Sequence, residues 1–168
     1  MTLKLLAVTG TPGTGKSTIA KKLSLLLDYA YLDGNLLVKS AKIAKSYDKK
    51  RKTAIVDSSL FTHEVLKVRD IHSKKGFKGL IVDSHLAHFL PSKAVSACIV
   101  LTCDLKMLEK RMAKKGFSKS KIRENLDAEI FDTILVEATE KKHKIFKFDT
   151  TKITEKDIKN LAKQLKKL

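Results

Sequence analysis

Tryptophan is absent from this chain, proline and cysteine occur twice each, and acidic residues are outnumbered 18 to 35 by lysine and arginine. Each shortage excludes something. No apolar run approaches the ~20 residues that cross a bilayer, so no transmembrane helix is expected. Two cysteines, Cys98 and Cys103, with no CxxC, make neither a disulfide framework nor a zinc ribbon; they read as buried or inert thiols. The scarcity of proline and the lack of any low-complexity linker leave nothing to divide the chain. Its 168 residues, 43% of them hydrophobic, are enough for one domain, residues 1–168, with a full core. The segment before residue 9 runs directly into the motif described below, so a cleavable leader would remove that motif, and a cytoplasmic protein is expected. The shortage of acid leaves a formal charge of +17. Such a field holds polyanions, RNA above all, in a salt-dependent way, unless it reflects a general lysine-rich bias; only four of the cations are arginine (Arg51, Arg69, Arg111, Arg123).

What is present begins with Gly10-Thr11-Pro12-Gly13-Thr14-Gly15-Lys16-Ser17. It fits G-x-x-x-x-G-K-[ST], follows an apolar strand-like run over residues 3–8, and precedes a helix-like run over 18–27. That setting is what a phosphate loop requires. Glycines let backbone amides turn onto phosphate oxygens, and the positive end of the next helix adds attraction. Gly13, Gly15, Lys16, Ser17 and Thr18 are therefore expected to bind ATP, with Lys16 on the β- and γ-phosphates and Ser17 on Mg²⁺.

Further along, residues 28–34 read as a short strand leaving into a turn, 35–44 as a helix, and 46–52 as a polar, basic connection. Residues 53–57 form a weak strand candidate, and Ser58-Ser59 caps a helix over about 60–73. Two fully apolar strands follow, at 80–83 and 97–102, separated by a loop at 84–96. Asp104 caps a helix through Met112. After the Gly116-Phe117 break, Ser118 caps a long helix over about 119–139, with Ile122, Leu126, Ile130, Ile134 and Leu135 on one stripe. A strand at 144–149 and a helix from Thr154 onward complete the chain. Buried strands alternating with helices imply an α/β fold with a parallel sheet covered on both faces.

A phosphate-loop enzyme needs a carboxylate at a neighbouring strand end to hold Mg²⁺. Asp83 closes the most apolar run after the first and is the best candidate; Asp57 is the runner-up. His85, two residues beyond Asp83, would lie near the same phosphates, where it could orient water or polarise a phosphoryl oxygen. Asp83, His85 and His88 also suggest zinc, which the lack of any further ligand cluster disfavours. His63, His72 and His143 read as solvent-facing. Arg111 is an arginine in a chain that otherwise uses lysine, and a guanidinium clamps phosphoryl oxygens where an ammonium does not; it is assigned to catalysis and ATP binding, with Arg123 nearby. No Asn-Lys-x-Asp motif and no switch Asp-x-x-Gly after a strand occur, which argues against a GTPase.

Together these stretches resemble the atypical, nuclear-type adenylate kinase family of eukaryotes and archaea. The resemblance rests on residues 9–18, on Gly79-Leu80-Ile81-Val82-Asp83-Ser84-His85 with Phe89-Leu90-Pro91, on residues 111–117, and on Asn125-Leu126-Asp127-Ala128-Glu129-Ile130-Phe131 ending in Glu137-Ala138. It implies a three-layer nucleoside-monophosphate-kinase sandwich whose five-stranded parallel sheet runs 2-3-1-4-5. It also implies a monophosphate-binding segment around 33–53, with Asp33 and Lys39 as its contacts, and a short lid around 110–120. The implied activity is ATP + AMP ⇌ 2 ADP with Mg²⁺, together with ATP hydrolysis. The implied partners are RNA and a platform protein of the small ribosomal subunit during rRNA maturation, and the chain is expected to be a monomer. It departs from the family at Lys39, where the family's monophosphate-binding helix carries arginine, and at residues 49–52, which are basic where the family is acidic. A lysine offers a point charge where arginine offers a planar fork.

Overall fold

The computed structural model describes residues 3–49 and 53–168. Seven strands and seven helices follow in the order β1 (Lys4–Gly10), α1 (Lys16–Leu27), β2 (Ala30–Asp33), α2 (Gly34–Ser40), β3 (Ala44–Asp48), β4 (Thr53–Val56), α3 (Ser58–Lys74), β5 (Gly79–Asp83), β6 (Ala97–Thr102), α4 (Leu105–Lys114), α5 (Lys119–Ile130), α6 (Thr133–Glu140), β7 (Ile145–Asp149) and α7 (Glu155–Lys166). A single 3-10 turn, Ala87–Phe89, interrupts the connection from β5 to β6.

Five strands form one parallel sheet in the order β2-β5-β1-β6-β7. Counted among themselves, these run 2-3-1-4-5, as expected. Alternation along each strand sends side chains to opposite faces. Leu5 and Ala7 of β1, Leu80 and Val82 of β5, and Cys98 and Val100 of β6 enter one core with α3 and α6. Leu6, Val8, Ile81, Ile99 and Leu101 enter the other with α1 and α7. Both faces being covered, the central strands are apolar throughout, and their C-terminal ends bring β1 and β5 to one edge where the phosphate loop leaves.

Three local expectations are corrected. Residues 44–48, expected as the end of a helix at 44 and the start of a basic connection at 46–48, are strand β3, paired antiparallel with β4 in a separate two-stranded sheet. That strand is exposed along most of its length, so it carries no apolar alternation to read. The expected helix over 35–44 stops at Ser40, where Lys42 takes a left-handed backbone (φ 53) and lets Ile43 pack against the α3-side core. The long helix over 119–139 is two helices, broken at Phe131-Asp132 with Asp132 left-handed (φ 48). Its stripe splits accordingly. Ile122 and Leu126 pack against a small third core of Cys103, Leu108 and Met112, whereas Ile134 and Leu135 pack on the α3-side core. Ile130 is 52% exposed and joins neither.

Residues 50–52, part of the basic stretch and including Arg51, lie outside the described residues. Among the described residues no helix is long and apolar enough to cross a membrane.

Candidate active site

Strand β1 delivers the loop at Gly10, where a side chain is excluded twice. The backbone has φ +144, and a Cβ would sit 2.5 Å from the Leu101 carbonyl oxygen. Gly13 (φ +97) meets the small third core instead, its missing Cβ falling 3.0 Å from Leu108 Cδ1. The loop then enters α1, whose N-terminus carries no side-chain cap, leaving its amides open to an anion.

Lys16 folds over its own loop, Nζ donating to the carbonyls of Gly10 (2.8 Å) and Thr11 (3.2 Å). Desolvation lowers its pKa to about 8, helped by the charge on Lys115 and opposed by Asp83 and Glu129. Those carbonyls hold the ammonium until a stronger, anionic acceptor arrives.

A cavity of about 650 Å³ opens in front of this loop. Gly13, Gly15, Lys16, Ser17, Thr18, Asp83 and His85 all line it, so the sequence-assigned phosphate and strand-end residues share one space. Asp83 is buried at the end of β5, and its Oδ2 accepts a hydrogen bond of 2.8 Å from the Tyr31 hydroxyl on neighbouring β2. Tyr31 has its pKa raised, by desolvation first and then by Asp83, so it remains a donor, and Ser17 lies within reach of the same hydroxyl. One carboxylate and one hydroxyl, both hard oxygens, beside a phosphate loop fit Mg²⁺, which takes few protein ligands and keeps its waters. Asp57 plays no part there. It caps α3 through the Ser59 amide (2.8 Å) and pairs with Lys45 (2.6 Å).

The His85 ring stands at the open mouth of the cavity. Enough protein surrounds it for desolvation, with the charges of Lys16, His88 and Lys121, to lower its pKa to about 4. It is therefore neutral at pH 7. Deeper in, His88 is 2% exposed, with Nδ1 3.1 Å from Thr9 Oγ1 and Nε2 2.8 Å from Glu137 Oε2. His143, read as solvent-facing, is buried, and its Nε2 lies 2.9 Å from the His88 carbonyl oxygen. Among the described residues no cluster of three His, Cys, Asp or Glu side chains is placed to hold a metal.

Arg111 lies outside this cavity. Its guanidinium donates to the Thr150 carbonyl (3.0 Å) and stands 3.3 Å from both Thr150 Oγ1 and Cys103 Sγ. Thr150 Oγ1 in turn donates to the carbonyl of Thr14 in the phosphate loop (2.7 Å). Arg111 thus braces the loop from behind, because the last turns of α4 aim it toward the segment after β7. Arg123 is exposed and pairs with Asp127 at 3.0 Å. Lys115 and Lys121, from the end of α4 and the start of α5, supply the cations at the cavity edge. Asp33 caps α2, accepting from the Asn35 and Leu36 amides, and lines a second groove of about 650 Å³ with Lys39, Tyr31, Leu36 and Val68.

Sequence reasoning also passed over Glu129. It clamps the phosphate loop from α5, with Oε2 accepting from Thr11 Oγ1 at 2.5 Å and Oε1 from the Cys103 amide at 2.9 Å. It stood within a segment quoted for family resemblance, but a continuous helix gave no reason to aim it at residue 11.

Residues 6–132 match the family described as AAA domain. A Pyrococcus abyssi protein named "Putative adenylate kinase" is 33% identical over 154 residues, covering 92% of this chain and 79% of that protein. A protein of the same name from Methanosarcina acetivorans is 34% identical over 148 residues, covering 88% and 77%. Among solved structures, a sugar kinase from Janibacter sp. HTCC2649 superposes with a TM-score of 0.66 at 16% identity, covering 98% of this chain and 95% of that one. TT1252 from Thermus thermophilus gives 0.63 at 15% identity, covering 100% and 99%. At such identities these two speak for the fold alone.

Proposed function

Since the chain belongs to the AAA-domain family and to the group of these archaeal adenylate-kinase-like proteins, we propose that this nucleotide kinase transfers the γ-phosphoryl group of ATP to AMP, giving two ADP, and also hydrolyses ATP at the same site. The observation that carries the reading is the shared cavity that joins Lys16, Ser17, Asp83 and His85. Lys16 leaves its two loop carbonyls for the β- and γ-phosphates, and the loop amides hold the rest. Ser17 and Asp83 would hold Mg²⁺, which would supply charge neutralisation at the phosphates, and Tyr31 fixes the orientation of Asp83. Catalysis is positioning and electrostatics, with no covalent enzyme intermediate. Lys115 and Lys121 face the moving phosphoryl group, the role the sequence assigned to Arg111, while Arg111 keeps the loop in register through Thr150. A neutral His85 accepts a hydrogen bond from water and so serves hydrolysis. The monophosphate-binding segment, residues 33–53, reaches this cavity through Asn35, with Asp33 and Lys39 in the adjoining second groove, and residues 110–120 form the lid.

A coupled assay of ADP formation with and without AMP tests this. AMP should accelerate ADP formation, Asp83→Ala should abolish it by about 100-fold or more, and His85→Gly should lower hydrolysis. If no nucleoside monophosphate raises ADP output above the ATP-only rate, phosphoryl transfer to a nucleotide is refuted.

The charge of +17 favours a second role alongside the first, in which the monomeric protein is held on RNA and a platform protein of the small ribosomal subunit during rRNA maturation. RNA affinity should then fall steeply with salt, with a log–log slope of about −0.7 per phosphate contacted. Salt-independent binding would remove this role.

A further inference from the structure

We infer that Glu137 reads the phosphoryl acceptor, accepting a hydrogen bond from an N–H or O–H of its nucleoside, and that His88 is the residue that positions it. The inference deepens the phosphoryl-transfer reading and rests on it.

The cavity is graded in charge. Its phosphate end gathers three cations, Lys16, Lys115 and Lys121, against the carboxylates of Asp83 and Glu124; its α6 wall carries the carboxylate of Glu137 beside the apolar Phe89 and Ile134. Phosphate oxygens are repelled by a carboxylate, so the part of a nucleotide that can lie against this wall is the part with donors and an apolar face. Ile134 and Glu137 are three residues apart on α6 and line the cavity together, because the left-handed Asp132 ends α5 and re-aims the chain.

Glu137 is held in place. Burial keeps His88 neutral, outweighing the Glu137 charge. A neutral ring has one N–H: donated from Nε2 to Glu137, it leaves Nδ1 to accept from the Thr9 hydroxyl. Thr9 is the next-to-last residue of β1, immediately before the phosphate loop. The carbonyl of His88 is fixed in turn by the buried His143. One oxygen of Glu137 is therefore committed to His88, and the side chain, 38% exposed, has the other left for a ligand. Rigid placement by a buried partner is what a reading group needs, since a carboxylate free to swing discriminates poorly.

The donor read by Glu137 has two sources, the amino edge of the base or a ribose hydroxyl. The experiment measures KM for ATP and for AMP, inosine monophosphate, and 2′-deoxy- and 3′-deoxy-AMP, in the parent, Glu137→Ala, Glu137→Gln and His88→Ala proteins, with melting temperature alongside. Glu137→Ala should raise the AMP KM by about 10- to 100-fold, the loss of a hydrogen bond to a charged acceptor, with the ATP KM within about twofold of the parent. Glu137→Gln should recover part of the loss, since its amide oxygen still accepts. His88→Ala should raise the AMP KM less. If the base is read, inosine monophosphate binds the parent as weakly as AMP binds Glu137→Ala; if the ribose is read, a deoxy analogue does. An AMP KM within twofold of the parent in Glu137→Ala overturns the inference while leaving phosphoryl transfer intact. If AMP binds the parent without being phosphorylated, phosphoryl transfer fails instead, and calorimetric AMP binding decides. Weaker binding by Glu137→Ala then upholds the reading role, and equal binding, or a parent that binds no monophosphate, overturns it.

Discussion

Replacing Glu129 should separate the brace of the phosphate loop from its chemistry. The carboxylate accepts from the hydroxyl of Thr11, a residue 3% exposed, and from the Cys103 amide, at 2.5 and 2.9 Å. Hydrogen bonds to a charged group contribute about 1.5–3 kcal/mol each, and the site is only half buried, so the lower value applies to each and their sum is about 3 kcal/mol. Glu129→Ala should therefore lose about 3 kcal/mol, or about 6–12 °C of melting temperature at this chain length. Glu129→Gln retains an acceptor for the Cys103 amide and offers a donor to Thr11, so it should lose only about 1 kcal/mol. Thermal unfolding by circular dichroism gives the first quantity. ATP titration gives the second, which should worsen in the alanine variant because Thr11 supplies one of the carbonyls that park Lys16. An alanine variant melting within about 2 °C of the parent, or a glutamine variant worse than alanine, would refute the clamp.

Other expectations follow from single residues. His88 is neutral when folded, with Glu137, His143 and Lys141 around it, and its pKa lies below the ordinary value. The unfolded ring gains its proton first as pH falls, so the stability this site contributes is present above about pH 6.5 and is lost on acidification, by up to about 1.4 kcal/mol per pH unit. Urea unfolding at pH 7.5 and 5.5 should show a smaller difference for His88→Gln than for the parent; an equal difference counts against it. Burial pushes the Cys98 thiol up to about 12 and also raises Cys103, so neither should react with a disulfide reagent at pH 8 until denaturant is added. Labelling of the native protein at the rate of free cysteine would contradict this. Gly10→Ala forces a Cβ to 2.5 Å from the Leu101 carbonyl and 2.9 Å from Thr14 Oγ1 on a φ of +144, and should cost at least about 2 kcal/mol along with ATP binding. Near-parent melting and ATP affinity would show that the loop yields more easily than its geometry implies.

The sheet and the phosphate loop were legible because their signals are local. β5 and β6 are unbroken apolar runs, and the glycines and Lys16 form one contiguous motif. The hairpin of β3 and β4 was not, because an exposed strand has no core to write an alternation. The break at Asp132 was hidden by apolar residues that keep helical spacing across it while serving two different cores. Partners distant in sequence were the hardest to see. Arg111 was singled out for its chemistry, yet its contacts lie 39 residues on at Thr150, and His88 meets partners 79 residues before it and 49 after it.

The break at Asp132 also divides the labour of holding the molecule together. α4 and α5, which bring Lys115 and Lys121 to the cavity edge, rest on a small core of Cys103, Leu108 and Met112 with Phe117, Ile122 and Leu126 against it, on the carboxylate clamp of Glu129, and on the bonds of Arg111 to Thr150. Beyond the break, α6 is anchored in the core shared with the sheet. The local opening free energy of the cationic edge is therefore expected to follow those contacts more than the stability of the sheet. Amide exchange along α5 should be faster than along β5 and β6, so the edge that meets the nucleotide has a stiffness that selection can adjust without touching the frame.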